Sequence, residues 1–393
     1  MSYIFLVESF EDEDGTQIEE GTVLKLLRDG RGYAWAEYDG HEVVIPAGKW
    51  EFLQQLDGTA FEEQMVLGKG AFGRVTMATH PSTPGTQFVI KSLLADEIPE
   101  NAVDTIWNEA VHIASLRGLR HVVNVVALTR GGPTLGLVML PVANHNLDAH
   151  LQLVADNTED TYGPHQPLIF RWIHCLARTL SNLHKVDIFH RDIKPENILV
   201  HGDYILYTDF GIAYTRSAKK EFATTNTGVT YEWMPPEAEN YDEPGQTRRT
   251  GGKGDVWSLG CVFYEMLLRT TPRRLLGDGL PRRQGATTSD LEIITYHMTF
   301  NHGGGFIGPV EQMKEETKEM DESLSDEDAA YFGLTKDLLT IVTQNMLVSE
   351  DERADVEVIV QLIMAAMAGH GLQPSECCWE GILGNEDYYK GNM

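Results

Sequence analysis

A glycine-rich string, GKGAFGRV, contains Gly68, Gly70 and Gly73. The runs on either side of it, 64–67 and 75–78, are of β type, and this predicts a strand–loop–strand hairpin. That context disfavours a dinucleotide-binding turn, because such a turn opens directly into a helix. Glycines have no Cβ, so the loop backbone could lie against a triphosphate. A single glycine-rich turn is nevertheless weak evidence for a nucleotide site.

A lysine, Lys91, ends the apolar strand-like run 88–90. Taken alone, it is explained by a strand-end side chain that extends to solvent. A matching carboxylate, Glu109, lies in a helical segment and shares one face with Ile113 and Leu116. We therefore predict an ion pair between Lys91 and Glu109 that holds the ammonium group toward the phosphates of a nucleotide.

The most specific string is HRDIKPEN at 190–197, which is followed twelve residues later by Asp209-Phe210-Gly211. The order continues with MPPE at 234–237, with DVWSLG at 255–260, and with Arg353. In order and spacing these strings resemble the eukaryotic protein kinases of serine/threonine type. The resemblance spans about residues 61–370.

The resemblance implies transfer of the γ-phosphate of ATP, with Mg²⁺, to Ser or Thr hydroxyls of protein substrates. It implies that Asp192 orients the hydroxyl and accepts its proton, and that Lys194 neutralises charge at the γ-phosphate. Asn197 and Asp209 are the implied Mg²⁺ ligands. Lys91 and Glu109 belong to the same catalytic set. The implied nucleotide-binding residues are Leu67, Gly68, Gly70, Gly73, Val75, Val89, Lys91, Met139, Leu199 and Asp209.

The substrate class is suggested by Lys194-Pro195-Glu196, which resembles serine/threonine rather than tyrosine kinases. Glu196 matches a position that often meets basic residues, and the formal charge of −28 also favours basic substrates. The alternative is a pseudokinase scaffold that recruits partners through the kinase fold. Pseudokinases typically lack one of three groups, which are present here as Lys91, Asp192 and Asp209.

Regulation is suggested by Arg191, because by resemblance such an arginine often receives a phosphate from the activation loop. The threonines placed to carry that phosphate are Thr224, Thr225 and Thr227, and the alternative is that they are simple loop residues. Thr230 aligns with a threonine that contacts the catalytic loop. The sequence departs from the family pattern at Val89 and Pro235, where alanine is usual, and in an extra segment at 241–253.

The first 56 residues are predicted as a small all-β domain with strands at 4–7, 22–27, 33–38 and 42–45. Turns are expected at 29–30 and 39–40, and the acidic run 8–20 is expected to form a solvated loop. This layout resembles an SH3 domain, which implies a possible Pro-rich ligand on a groove that includes Phe10, Tyr33 and Pro46. The alternative is a small barrel that packs against its neighbour without a ligand.

These elements define the expected fold class, an α+β two-lobed protein kinase fold preceded by an SH3-like β-barrel. The predicted domains are 1–56, a small lobe at 61–142, a helical large lobe at 143–370 and a tail at 371–393. Apolar residues at helical spacing over 168–183 predict a helix with one buried stripe, and 256–268 predicts a helix buried all round. The acidic segment 311–328 is expected to be a solvated, mobile insert.

Composition restricts the remaining possibilities. The chain has 393 residues, of which 42% are hydrophobic, so a large core is possible. The chain has 59 acidic and 31 basic residues. This excess of negative charge disfavours nucleic acid and anionic membranes as partners. Four cysteines are too few for a disulfide scaffold, and no apolar run reaches the length of a membrane span. We expect a cytoplasmic protein that could also enter the nucleus.

Overall fold

A computed structural model places the chain in two compact units. Of the residues that the structure describes, those up to 143 and those at 209–213 belong to the first unit, and those at 144–208 and from 214 to 374 belong to the second. The structure describes residues 2–6, 9–12, 15–18, 23–30, 33–38, 41–46, 49–52, 55–57, 61–70, 73–81, 85–93, 109–110, 112–113, 116, 119–131, 134–155, 162–215, 233–235, 237, 251–272, 275 and 324–374.

The first unit begins with a five-stranded antiparallel sheet, which we call the N-terminal sheet. Its strands, in spatial order, are β6 (His41–Ile45), β5 (Tyr33–Tyr38), β4 (Val23–Gly30), β1 (Ser2–Leu6) and β7 (Trp50–Phe52). A separate hairpin joins β2 (Phe10–Glu11) to β3 (Gln17–Ile18). Within the described residues these strands form an open sheet and a hairpin, and not a closed barrel.

Two predictions for this region are wrong. Asp29 and Gly30 do not form the turn, because the β4 ladder continues past a bulge and pairs them with Ala34 and Tyr33. The acidic run is not simply a solvated loop. It contains the β2–β3 hairpin, in which Phe10 opposes Ile18 and both side chains are buried. Phe10 is therefore a core residue rather than part of an open groove.

A six-stranded sheet is the second sheet of the first unit. In spatial order it contains β8 (Gln55–Asp57), β12 (Asn124–Gly131), β13 (Thr134–Leu140), β11 (Gln87–Leu93), β10 (Gly73–Thr79) and β9 (Glu62–Gly70). The side chains of a strand alternate between its two faces, and this brings the apolar residues of four strands together with Phe61. That core consists of Phe61, Ala78, Phe88, Ile90, Ala127 and Val138.

The second unit is mainly helical. Its helices are α1 (Leu147–Ala155), α2 (Gln166–Lys185), α3 (Gly252–Thr270), α4 (Asp326–Ile341) and α5 (Val356–Gly369), and a π-helical turn (Val342–Met346) continues α4. Its short strands are β14 (His145–Asn146), β15 (Ile188–Phe189), β16 (Ile198–His201), β17 (Tyr204–Tyr207) and β18 (Tyr214–Thr215). The predicted helices at 168–183 and 256–268 lie within α2 and α3.

Two predicted loop segments end earlier than expected. The acidic insert gives way to α4 at Asp326, because Ser325 Oγ caps the helix by accepting a hydrogen bond of 3.1 Å from the Asp328 amide. The carboxylates of the first turn favour the same start. Likewise, Lys253 belongs to α3 and not to the extra segment. Residues 311–323, 241–250 and 375–393 lie outside the described residues. No helix in the described ranges has the length and apolar character needed to cross a membrane.

Candidate active site

In the first unit, Lys91 lies between two carboxylates. Strand β11 is central in its sheet, and there Lys91 is directly opposite Val75 on β10 and Leu137 on β13. Its Nζ donates to both carboxylate oxygens of Glu109, at 2.8 and 3.0 Å, and to Asp209 Oδ1 at 3.0 Å. The side chain of Glu109 is 1% exposed, whereas that of Asp209 is 43% exposed. The cluster is thus anchored in the protein at Glu109 and open at Asp209.

Burial and charge shift the pKa values of this cluster in defined directions. Burial raises the pKa of Glu109 to about 7, against the lowering effect of Lys91. For Lys91, burial alone would lower the pKa, but Glu109 and Asp209 outweigh it and the pKa is raised. The ammonium group therefore stays charged at neutral pH, which is the state that could attract a phosphate.

The glycine-rich segment forms the predicted hairpin between β9 and β10, where Gly70 opposes Gly73 and Gly68 opposes Val75. A Cβ built on Gly68 would meet no atom of the described residues within 4 Å. Leu67 is exposed on the same strand. The backbone at Gly68 thus has room for a ligand against it, as a nucleotide phosphate would need.

Three other residues predicted to bind nucleotide have less exposed side chains than Leu67. Val89 and Met139 oppose each other across β11 and β13, and both are buried. Leu199 lies in the second unit, half-buried on β16 and opposite Leu206. The structure thus places Val89 and Met139 inside the sheet of the first unit and Leu199 in the second unit.

In the second unit, Asp192, Lys194 and Asn197 form one hydrogen-bonded group. Asp192 Oδ2 accepts from Lys194 Nζ at 2.8 Å and from Asn197 Nδ2 at 2.7 Å. Asn197 Nδ2 also donates to the Asp192 carbonyl at 2.9 Å. The carboxylate and the carbonyl of Asp192 are both acceptors, so the side-chain nitrogen of Asn197 must face them. The side-chain oxygen of Asn197 therefore points elsewhere. A short 3₁₀ turn (Pro195–Asn197) sets this spacing.

The donor set fits a hard divalent cation, which prefers carboxylate and amide oxygens. Asn197 offers an amide oxygen and Asp209 an exposed carboxylate. The structure contains no group of three or more His, Cys, Asp or Glu side chains suited to a metal among the residues it describes. Asp209 belongs to the first unit and Asn197 to the second. Mg²⁺ usually completes its ligand set with oxygens of phosphates and water.

Asp255 holds the start of segment 190–197, the catalytic loop that the kinase resemblance implies, and sequence reasoning missed this role. From α3, its Oδ1 accepts from the Arg191 amide at 2.8 Å, and its Oδ2 accepts from the His190 amide at 2.9 Å. His184 Nε2 lies 3.0 Å from the same Oδ2. The backbone of Arg191 has a φ of 68°, a strained value for a residue with a Cβ. The available signal was Asp255 itself, which stands directly before the mainly apolar run 256–268.

A second buried ion pair involves Arg353, whose side chain is 0% exposed. Its Nη1 and Nη2 donate to the two carboxylate oxygens of Glu237 at 2.6 and 3.1 Å, a bidentate arrangement. Its guanidinium also donates to the carbonyls of Lys253 and Val348 and lies 5.0 Å from the Trp257 ring. This pair ties the segment at 237 to α3 and to the end of the π-helical turn.

The regulatory predictions are only partly within the described chain. Arg191 is described, but Thr224, Thr225, Thr227 and Thr230 lie outside the described residues. The role of these threonines stays a prediction.

Comparison with known proteins agrees with this geometry. The family model "Protein kinase domain" matches residues 61–329. Mitogen-activated protein kinase 3 of Oryza sativa is 31% identical over 236 residues, which are 56% of this chain and 56% of that protein. Aurora kinase of Schizosaccharomyces pombe is 30% identical over 213 residues, 54% of this chain and 55% of that protein. The chain spans about half the length of these curated relatives. The chain belongs to the protein kinase family.

Proposed function

We propose that this protein is an ATP-dependent serine/threonine protein kinase. The observation that carries the proposal is the position of Lys91 Nζ, which is hydrogen-bonded to Glu109 and to Asp209. This arrangement holds a charged ammonium group beside the partly exposed carboxylate of Asp209, where it can contact the phosphates of a nucleotide. The intact Asp192–Lys194–Asn197 group is a second support.

In the proposed mechanism, the substrate hydroxyl oxygen attacks the γ-phosphorus of ATP, and the bond from that phosphorus to the bridging oxygen of ADP breaks. Asp192 orients the hydroxyl and takes its proton. Lys194, bound to Asp192, neutralises charge on the transferred group, and Lys91 does so for the phosphates that stay with ADP. Mg²⁺, held by Asn197 and Asp209, would neutralise further phosphate charge when bound.

We propose basic protein segments as substrates. Glu196 lies in the 3₁₀ turn that follows Lys194, and the chain carries a formal charge of −28. Long-range attraction of that kind speeds encounter with cationic segments and weakens with salt. A peptide array tests this: enrichment of Arg or Lys near the phosphorylated Ser or Thr is expected, and a preference for acidic or proline-directed sites would contradict it.

For the N-terminal sheet we propose an SH3-like topology, supported by its strand order and by the β2–β3 hairpin that precedes β4. The burial of Phe10 works against a Pro-rich ligand on the predicted groove. Titration of the full chain with a set of PxxP peptides is expected to leave the amide signals of residues 1–52 unchanged.

The decisive test is Mg²⁺-dependent transfer of labelled phosphate from ATP to a basic protein. Asp192→Asn is expected to lower transfer by about 10²–10⁴-fold, the usual contribution of general base catalysis, while ATP still binds. Asp203→Asn is a matched control, because Asp203 is an exposed aspartate in the same unit and lies in a strand connection. Wild-type protein that neither binds ATP nor transfers phosphate would refute the proposal and favour the scaffold.

A further inference from the structure

The short strand β8, in the linker after the N-terminal sheet, forms one edge of the six-stranded sheet, and β9 forms the other. Strand β8 runs parallel to β12. The register places Gln55 opposite Leu128, Leu56 opposite Thr129 and Asp57 opposite Arg130. A parallel edge strand supplied by a linker is a long-range contact, since about seventy residues separate the two strands along the chain.

The connection between the N-terminal sheet and β8 is very short. Strand β7 ends at Phe52 and β8 begins at Gln55, so two residues connect them. An extended chain covers at most about 3.6 Å per residue, so the Cα atoms of Phe52 and Gln55 are no more than about 11 Å apart. While β8 is paired with β12, the N-terminal sheet must therefore stay at this edge.

The chain is also fixed on the other side of β8. Four residues further on, Phe61 enters the core of the six-stranded sheet. Its ring contacts that of Phe88 at a centroid distance of 5.7 Å and that of His80 at 4.8 Å. Strand β9, which carries the glycine-rich loop, begins at the next residue. The linker is thus held at β8 and again at Phe61.

The side chains of the open edge strand β9 are more exposed than those of β12, the strand that β8 covers. On the open edge, β9, Met65 is 54% exposed and Leu67 is 41% exposed. On β12, next to β8, Ala127 is 0% exposed and Val125 is buried. An unpaired edge presents free backbone N–H and C=O groups to any other strand. Without β8, the edge at β12 would offer such a template.

We propose that β8 is a built-in partner strand for β12, through which residues 1–57 brace the kinase small lobe within the same chain. The occupant of this edge is therefore the protein's own linker. Two strands lie between β8 and the strand that carries Lys91: β8 pairs with β12, β12 pairs with β13, and β13 pairs with β11, which carries Lys91. Bracing of the edge would therefore hold in place the strand that positions Lys91. This last consequence rests on the proposed kinase function.

Cross-linking tests the register directly. In a background with Cys377→Ser and Cys378→Ser, the pair Leu56→Cys and Thr129→Cys is expected to form an intramolecular disulfide under mild oxidation. Adjacent parallel strands lie about 4.8 Å apart, within disulfide range. The control pair Leu56→Cys and Arg130→Cys differs by one residue, which places the second thiol on the opposite face. Absence of the first disulfide, or a disulfide only between two molecules, would overturn the proposal.

Bracing itself is tested in the full chain by Leu56→Pro, which removes the backbone N–H of the middle residue of β8. Leu56→Ala is the matched control, because it keeps that N–H. Hydrogen exchange of residues 124–131 is expected to become at least tenfold faster in Leu56→Pro than in Leu56→Ala, with weaker ADP binding. Unchanged exchange would overturn the bracing. Faster exchange in a chain that never binds ADP would support bracing and count against the kinase proposal instead.

Discussion

Lys91 and Glu109 are joined by two hydrogen bonds, of 2.8 and 3.0 Å, although burial raises the pKa of Glu109 to about 7. The carboxylate therefore gains its full charge only near the upper end of the neutral range. The ordinary pKa of such a group is 4.5, so the folded protein holds this proton more tightly than the unfolded chain does. A raised folded-state pKa contributes stability at low pH that is lost as the pH rises through 7.

The first prediction compares wild type with Glu109→Gln, whose amide does not titrate. Relative to the variant, the wild-type free energy of unfolding is expected to fall by about 2 kcal/mol between about pH 5.5 and pH 8. Urea unfolding of both proteins across this range measures it. If the two free energies change in parallel with pH, then Glu109 does not titrate with a raised pKa.

A second prediction concerns the buried partner of Glu237. The Arg353 guanidinium is fully buried, so removal of its carboxylate leaves a charge without compensation. Glu237→Leu is expected to lower the free energy of unfolding by about 3–5 kcal/mol. Glu237→Gln keeps an oxygen acceptor and is expected to cost less than half as much. Glu350→Leu, at an exposed position, is the control and is expected to change stability by less than about 0.5 kcal/mol. A similar loss in all three variants would contradict the role of the pair.

A third prediction contrasts two helical glycines. A Cβ on Gly260 would lie 2.9 Å from Met346 Cβ and 3.0 Å from Leu347 Cδ2, so α3 packs against the end of the π-helical turn at this point. Gly260→Ala is expected to lower the free energy of unfolding by about 1–3 kcal/mol, which is the usual effect of overpacking. A Cβ on Gly369 meets no atom of the described residues within 4 Å, and Gly369→Ala is expected to leave the free energy of unfolding unchanged or to raise it by up to about 1 kcal/mol. Thermal unfolding of the two variants measures the difference, and equal effects would show that the packing at Gly260 can relax.

The sequence indicated neighbouring elements better than it indicated long-range contacts. The Lys91–Glu109 pair was predicted from residue type and placement, and the structure joins these two side chains by two hydrogen bonds. Four of the five strands of the N-terminal sheet were also predicted, since their apolar pattern is local, whereas β7 (Trp50–Phe52) was not. Strand β8 was missed because three residues carry too little pattern and their partner lies on the distant β12. Asp29-Gly30 was misread because turn composition does not reveal where a ladder ends.

The anchoring of the catalytic loop could not be predicted either. Asp255 is far from His190 and Arg191 in sequence, and only the fold brings its carboxylate to their amides. The same limit applies to Phe10, whose burial depends on Ile18 in the facing strand. Long-range partners of this kind are set by packing, which a single sequence does not display.

The last prediction concerns this anchor. In Asp255→Asn one carboxylate oxygen becomes an NH₂ group, which has no acceptor to offer to the amides of His190 and Arg191 or to His184. One backbone N–H would then face a donor, at a cost of about 1–3 kcal/mol. We therefore expect kcat to fall by about 5–150-fold, since 1.36 kcal/mol corresponds to a factor of ten. The KM for ATP should change little, because Lys91 and its two carboxylates lie in the other unit.

Steady-state kinetics on Asp255→Asn, with its unfolding temperature measured in parallel, separates positioning from folding. Asp351→Asn is the control, since Asp351 is an exposed aspartate in a turn of the same unit. A positioning role predicts a lower kcat at an unchanged KM in protein that is still folded at the assay temperature. An equal rise in KM for ATP would instead mean that the carboxylate acts on nucleotide binding. A variant with wild-type kcat would show that the loop keeps its strained conformation at Arg191 without this anchor.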